Sequence, residues 1–398
     1  MSTYQTTASS TSMAEKAPSP LFIQGSTLEG GGQLVRNAVV LSCLTKKPIH
    51  IINIRSNRGR GGGLKSSHLA AVNFLMEVAA ARVKGNEIGS RQLTFSPGSN
   101  QRLKKEYSIV MQSPGSIWLV FQAIYPYILF SGMAPEGHTP IRLHLTGGTN
   151  VSKSPSGEYI TQVLLPTFQK MGLPPISLKI HKRGWTHGRP SPLGSATFTI
   201  HPLPPTQSHL PAFDLKYPGA ITKIAITILA PQDVRKKILI QTQNALFLDV
   251  PTYVEVNEDS GDPKRLYLLL VAHTEHGYRL GRDWLYDKKI TNVDDAIPVL
   301  VKQVVSDLTL EIRSLGCVDE YMEDQVVVFQ ALARGMSTVD LGRKFVDAGV
   351  VDEHGREMEE MDLDWEPRLP SLHTRTAMWV AERICGATFK YGTSWGVG

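Results

Sequence analysis

The chain has 398 residues, 41% of them hydrophobic and 20% charged, with a formal net charge of +6. This is the composition of a globular protein with room for about two or three domains. Three scattered cysteines, Cys43, Cys317 and Cys385, exclude a disulfide framework and a cysteine zinc site and suit a reducing compartment. Residues 351–366 carry eight acids and one base, a net −7, which leaves +13 on the rest of the chain and points to a polyanionic partner such as nucleic acid.

Residues 1–20 are rich in Ser and Thr, with Lys16 their only base. They lack the apolar core of a signal peptide and the arginines of a mitochondrial presequence, so they read as a disordered tail. Glu29-Gly30-Gly31-Gly32-Gln33 leads into a helix with Leu34, Ala38 and Leu41 on one face. The glycines permit close backbone approach to a phosphate, the helix start adds a positive dipole end, and Glu29 is placed to hold Mg²⁺ against phosphate oxygens. A tight turn with a surface Glu is the plain alternative. A strand follows at 49–54, then a loop in which Arg55, Arg58, Arg60 and Lys65 alternate with glycine up to His68. Such a loop suits a phosphate or an RNA backbone. It is not a Walker A loop, because Leu64 separates Gly63 from Lys65.

Strands at 107–111, 141–145, 176–180 and 196–200 alternate with helices. One helix covers 117–130 after Ser113-Pro114-Gly115-Ser116; with Gln122 and Pro126 it is too short to span a bilayer and reads as buried. The other starts at Glu158, behind Thr146-Gly147-Gly148-Thr149 and Ser154-Pro155-Ser156-Gly157. Its stripe is Ile160, Val163, Leu164, Phe168 and Met171; Pro166 bends it and Gly172 ends it. This alternation predicts an α/β architecture of repeated units. Proline-rich 202–211 reads as a linker. Strands at 237–241, 252–256 and 266–272 and a long helix over 296–315 then suggest a separate small α/β domain. Asp319 to Val326 form an acidic-aromatic turn into another apolar run, and 351–366 a solvated loop. Last comes Pro370-Ser371-Leu372-His373-Thr374-Arg375-Thr376 before a helical run. A histidine on a Ser/Thr-rich helix start can be a nucleophile beside an anion site, or simply a surface histidine.

Taken in order, seven segments resemble the RNA 3′-terminal phosphate cyclase family: Glu29 to Asn37, Ile54 to Arg58 with His68-Leu69, Thr94 to Gly98, Pro114 to Gln122, Thr146 to Thr149, Glu320 to Gln325, and Leu372 to Ala377. The resemblance runs from about residue 23 to 390. It implies an α/β (α+β) fold. A large domain, 21–205 and 314–398, would consist of repeated βαβα-type units with helices packed on four-stranded sheets. A smaller α/β domain, 206–313, would be inserted, and 351–366 would be an acidic loop insertion.

The resemblance also implies ATP-dependent closing of an RNA 3′-phosphate to a 2′,3′-cyclic phosphate, with Mg²⁺ or Mn²⁺. His373 would attack ATP and carry AMP. Asp324 would orient the ring or the nucleotide, and Tyr321 would stack on adenine with Pro155 and Tyr159 on the opposite side. Gln325 and Gln122 would line the nucleotide site. Arg36, Arg55, Arg58 and His68 would grip the RNA terminal phosphate, and Glu29 would bind the metal. The partner would be RNA with a 3′-phosphate end, with no membrane and no stable protein partner, in an intracellular setting with the nucleus favoured over the cytoplasm.

The chain departs from the family pattern at Ser67, usually Gln, at Asn150, usually Asp, and over 185–194, where an aromatic-Pro-x-Gly-Gly-Gly turn is replaced. These positions bear on RNA-end affinity and substrate preference. Two other readings are a non-catalytic relative serving ribosome assembly, against which His373 argues, and an enolpyruvyl transferase of similar repeat architecture.

Overall fold

The computed structural model describes residues 19–58, 61–98, 104–130, 139–188, 191–204, 207, 209–345 and 365–398. The expected tail up to residue 18 and the acidic stretch up to 364 lie outside the described residues.

The first unit runs β1 (Leu21–Gln24), α1 (Gly32–Thr45), β2 (Ile49–Ile52), α2 (Ser66–Val78), β3 (Arg82–Lys84) and β4 (Leu93–Ser96). Its sheet order is β1-β2-β4-β3, with β1 parallel to β2 and the other pairs antiparallel. The second unit repeats this plan: β5 (Glu106–Val110), α3 (Ile117–Phe130), β6 (Ile141–Gly147), α4 (Gly157–Tyr159), a π turn (Ile160–Leu164), α5 (Leu165–Lys170), β7 (Ile176–Lys182) and β8 (Gly194–Ile200). Its order is β5-β6-β8-β7, again with one parallel pair at the edge.

A third unit starts with β9 (Leu210–Pro211) and β10 (Asp214–Leu215) and is then interrupted. The interruption comprises β11 (Ile221–Ala230), α6 (Gln232–Ala245), β12 (Thr252–Asp259), β13 (Tyr267–Thr274), β14 (Arg279–Leu285) and α7 (Val293–Ser314). The third unit resumes with α8 (Glu320–Leu332), β15 (Ala333–Val339), a ribbon of β16 (Arg343–Phe345) and β17 (Trp365–Pro367), α9 (Leu372–Cys385), β18 (Thr388–Lys390) and β19 (Thr393–Val397). Its order, β10-β15-β19-β18, matches the other two. The insertion therefore falls between the first strand and the first helix of the third unit.

Burial explains these arrangements. Ile224, Ile226, Ile228 and Ala230 of β11 pack with α6 and α7, while Ala225 and Leu229 join the core of the repeated units. On β13, Leu268, Leu270 and Ala272 alternate with Tyr267, Leu269 and Val271 in the same way. A strand covered on both faces reads as a continuous apolar run whose side chains still separate with period two. Helix α3 is buried almost all round, as its apolar sequence requires. Among the described residues no helix is long and apolar enough to cross a membrane.

One expected strand is corrected. Residues 237–241 lie inside α6, whose buried side chains are Val234, Ile238 and Thr242, spaced by four. The β-branched run suggested a strand, but a strand would put Lys236 and Ile240 on the same face as Ile238, and both are exposed, as the helical period requires. At Pro166 the structure has the π turn, with proline in the first turn of α5. Proline has no N–H for the carbonyl of Gln162 four residues back. Arg279 Nη1, from β14, donates to that carbonyl instead at 3.0 Å.

Candidate active site

The starts of α1, α2 and α9 converge on one side of the repeated units, and none has an acidic residue in its first turn. Their free backbone N–H groups make this region favourable for anions. The loop before α1 turns at Gly30, whose φ is +60°, a conformation a side chain rarely adopts. Asn57 braces the turn by donating from Nδ2 to the carbonyl of Ser26 at 2.8 Å.

His373 is the second residue of α9. Ser371 caps the helix by accepting from the Thr374 N–H at 3.2 Å. The His373 ring is 55% exposed, so it is open to a large substrate. Its Nδ1 meets Gln33 Oε1 at 3.3 Å and lies 3.0 Å from Glu29 Oε2. Gln33 donates its amide to Asp324 Oδ2 at 2.5 Å, so its oxygen is the atom facing the histidine. That oxygen only accepts, which puts the proton of neutral His373 on Nδ1 and leaves the Nε2 lone pair free. Burial raises the pKa of Asp324 above the ordinary carboxylate value, opposed by hydrogen bonds from Gln325 and Gln33 and by the charges of His373 and Arg36. Asp324 is thus linked to the ring by hydrogen bonds through Gln33. Gln33, which the sequence reading left without a role, is the direct partner. Its place in the first turn of α1, four residues after Glu29, was the available signal.

Glu29 lies between His373 and Arg58, with which it is ion-paired. Its backbone N–H donates to Thr376 Oγ1 of α9 at 3.3 Å, tying the glycine loop to the histidine's helix. The carboxylate is only 9% exposed, and among the described residues neither of its oxygens has a partner with hydrogen-bond geometry. A buried carboxylate beside an anion site suits a hard cation shared with phosphate oxygens. Among the described residues no cluster of three or more metal-binding side chains is present, so most ligands of such an ion would come from substrate and water.

Arg36, Arg55 and His68 form a second group behind the start of α1. His68 is the third residue of α2, and its Nδ1 accepts the N–H of Lys65 at 3.1 Å. The ring proton is therefore on Nε2, which lies against Gly32 together with Arg36 Nη1. Burial, then Arg36, Arg55 and Lys65, push the His68 pKa down to about 3. At neutral pH His68 is an uncharged N–H donor set among cations. Burial lowers the Arg36 pKa to about 10, with Asp324 opposing and Arg55 adding to the fall, so the guanidinium stays charged. Arg55 donates to the carbonyls of Gly61 and Gly63 at 2.9 and 3.2 Å, which holds both glycines against its guanidinium.

The residues expected around a base lie one turn of α8 away. The Tyr321 ring is 40% exposed. The Arg282 guanidinium sits 4.4 Å from its centroid, and the Tyr159 ring meets it edge-on with centroids 5.8 Å apart. Tyr159 is only 1% exposed and donates to Asp319 Oδ1 at 2.6 Å. Tyr159 is thus a buried ring with a bound hydroxyl that packs edge-on against Tyr321. Pro155 is half-buried ahead of α4. Gln122 lines a cavity of about 20 Å³ with Gln33, Arg36, Asp324 and Gln325, and its buried amide nitrogen has no partner among the described residues. That volume admits about one water. Arg282 was not anticipated, because it comes from the inserted unit.

Of the departing positions, Asn150 is buried and donates to Glu158 at 3.2 Å. Trp185 is buried with the Arg265 guanidinium 5.5 Å from its ring. Ser67 is buried at the start of α2.

A family model described as RNA 3′-terminal phosphate cyclase matches residues 27–391. The chain is 30% identical over 380 residues to a Drosophila melanogaster protein named RNA 3′-terminal phosphate cyclase, covering 93% of this chain and 92% of that protein. It is 29% identical to a Dictyostelium discoideum protein named probable RNA 3′-terminal phosphate cyclase, covering 92% of this chain and 77% of that one. A Pyrococcus furiosus protein named RNA 3′-terminal phosphate cyclase is 30% identical, over 79% of this chain and 86% of its own length.

Proposed function

This chain belongs to the RNA 3′-terminal phosphate cyclase family, and we propose that it closes RNA 3′-phosphates to 2′,3′-cyclic phosphates with ATP, through a covalent AMP on His373. The observation that carries this reading is the state of the histidine. Its Nδ1 is engaged by Gln33 and faced by Glu29, while its Nε2 meets no partner among the described residues and the ring is open to solvent. Attack through Nε2 needs this tautomer.

In the first step Nε2 attacks the α-phosphorus of ATP. The bond from that phosphorus to the bridging oxygen breaks, and pyrophosphate leaves. The positive charge that develops on the ring faces the Glu29 carboxylate at Nδ1. Tyr321 is the half-open aromatic face against which the base would stack, and Asp324 and Gln325 follow it on α8. In the second step an oxygen of the RNA 3′-phosphate attacks the AMP phosphorus and the P–N bond breaks, restoring neutral His373. In the third the neighbouring 2′-hydroxyl attacks the RNA phosphorus, AMP leaves, and the hydroxyl proton passes to solvent. Arg36, Arg55, Arg58 and the Nε2–H of His68 would bind the terminal phosphate, where guanidinium forks suit a dianion. Glu29 would hold the Mg²⁺ or Mn²⁺, which when bound offsets triphosphate charge as a Lewis acid.

The test is incubation with α-labelled ATP and Mg²⁺, followed by denaturing gels. Label that is acid-labile, alkali-stable and absent from His373→Ala is expected, together with conversion of a 3′-phosphate RNA to its cyclic form. A folded wild type that takes up no label would overturn the reading and favour a non-catalytic RNA-binding role.

A further inference from the structure

Five charged side chains, all but one of them mostly buried, run from the ring of Tyr321 to the start of α9. Arg282, on β14 of the inserted unit, lies over Tyr321 and donates Nη2 to Glu311 and, at 2.7 Å, to Glu320. Glu311, on α7 of the same unit, is 2% exposed. It accepts Arg368 Nη1 at 2.8 Å and the backbone N–H of Glu320, the first residue of α8, at 3.1 Å. Arg368 Nη2 donates to Glu323. The other oxygen of Glu323 accepts the Ser371 N–H at 3.1 Å and the Thr374 hydroxyl at 3.0 Å. Ser371 is the N-cap of α9, two residues before His373. Of the five, only Glu320 is substantially exposed, at 50% of its side chain.

Charges in such a position are poorly explained by stability alone, since apolar side chains of similar volume do that job as well or better. Both ends of this chain of contacts belong to the proposed adenylylation site. We propose that Arg282 and Glu311 of the inserted unit, with Arg368 and Glu323, are positioning residues that hold the base-binding ring and the nucleophile's helix in one fixed relation. The inserted unit is then part of the adenylylation site. The proposal rests on the histidyl-AMP reading, and its two ends predict separable effects. Arg282 supports the ring that binds the base, so it acts on ATP affinity. Glu323 holds the helix start that aims His373, so it acts on the rate of attack. Glu311 joins the two and acts on both.

The experiment measures covalent AMP uptake against ATP concentration for wild type, Arg282→Met, Glu323→Gln and Glu311→Gln, with thermal unfolding of each. Arg282→Met is expected to raise half-saturating ATP about fivefold with a maximal rate within about twofold. Glu323→Gln is expected to lower the maximal rate about tenfold with half-saturation within about twofold. Glu311→Gln moves both. A purely structural role would lower the melting temperature and leave both constants of the folded fraction at wild-type values, and that result overturns the proposal. Should Glu323→Gln not fold, Glu323→Asp, which keeps the charge one methylene short, is read on the same split, and wild-type constants there overturn the proposal equally. Absence of label from wild type is a different outcome: it overturns the adenylylation reading itself.

Discussion

Gly32 and His68 meet where α1 starts, and a methyl group at position 32 would overlap His68 Nε2 and crowd Arg36 Nη1. Gly32→Ala should therefore displace the two donors of the proposed phosphate site while leaving His373 and its partners in place. The expected result is a tenfold or greater loss of RNA-end affinity, on the order of 1.4 kcal/mol or more, with AMP uptake little changed. Binding of a 3′-phosphate oligonucleotide, measured beside self-labelling, checks it. His68 itself carries a pH signature. Its folded pKa of about 3 lies below the ordinary 6.5. Between those values the unfolded chain binds a proton that the folded chain does not. Stability therefore falls on acidification through that window, by up to about 1.4 kcal/mol per pH unit from this group. His68→Gln should flatten that part of a denaturation-versus-pH profile.

The start of α9 shows what one element contributes. Ser371 accepts from the Thr374 N–H and is itself held by Glu323. Ser371→Ala should cost about 1 kcal/mol of stability through the lost cap, read as a lower melting temperature, and should slow AMP uptake because the cap orients the residue two places on. Most elements were legible in the sequence, because Gly-, Pro- and Ser-rich loops punctuate apolar runs of clear period. Helix α6 was not. Its run Ile238-Leu239-Ile240 has β-branched ends, and the helix shows in the burial of Ile238 with Ile240 exposed, which a strand would place on one face. At Pro166 the bend was legible, but the guanidinium of Arg279 that satisfies the freed carbonyl comes from residues more than a hundred positions away.

At the scale of the molecule, the inserted unit meets the repeated units through polar groups as well as apolar ones. Arg183 of the second unit ion-pairs with buried Glu158 and with Glu258 of β12. Asp283 of β14 accepts from Ser156 at 2.9 Å and from Tyr267 at 2.8 Å. Burial raises its pKa to about 6, with those hydrogen bonds opposing. A carboxyl whose folded pKa exceeds the unfolded value stabilises fully below about 3.8 and loses that contribution as pH rises through about 6. Asp283→Asn, which keeps an accepting oxygen without a charge, should therefore stabilise the protein at pH 8 by about 2 kcal/mol. The difference should shrink at pH 5, as thermal unfolding at the two pH values would show.

By itself the sequence determined which segments fold locally and which short motifs carry chemistry. Turns, helix starts and alternating apolar patterns are properties of neighbouring residues, and the Glu29, His68 and His373 motifs each sit within a few positions of the helix start that orients them. Three things were left to the tertiary structure: that Gln33 holds the histidine's Nδ1, that Tyr159 packs edge-on against Tyr321, and that Arg282 reaches the same ring from the inserted unit. Each is a contact between side chains far apart in sequence. The direction a side chain takes there is set by which helices and sheets pack together, and no local pattern encodes it.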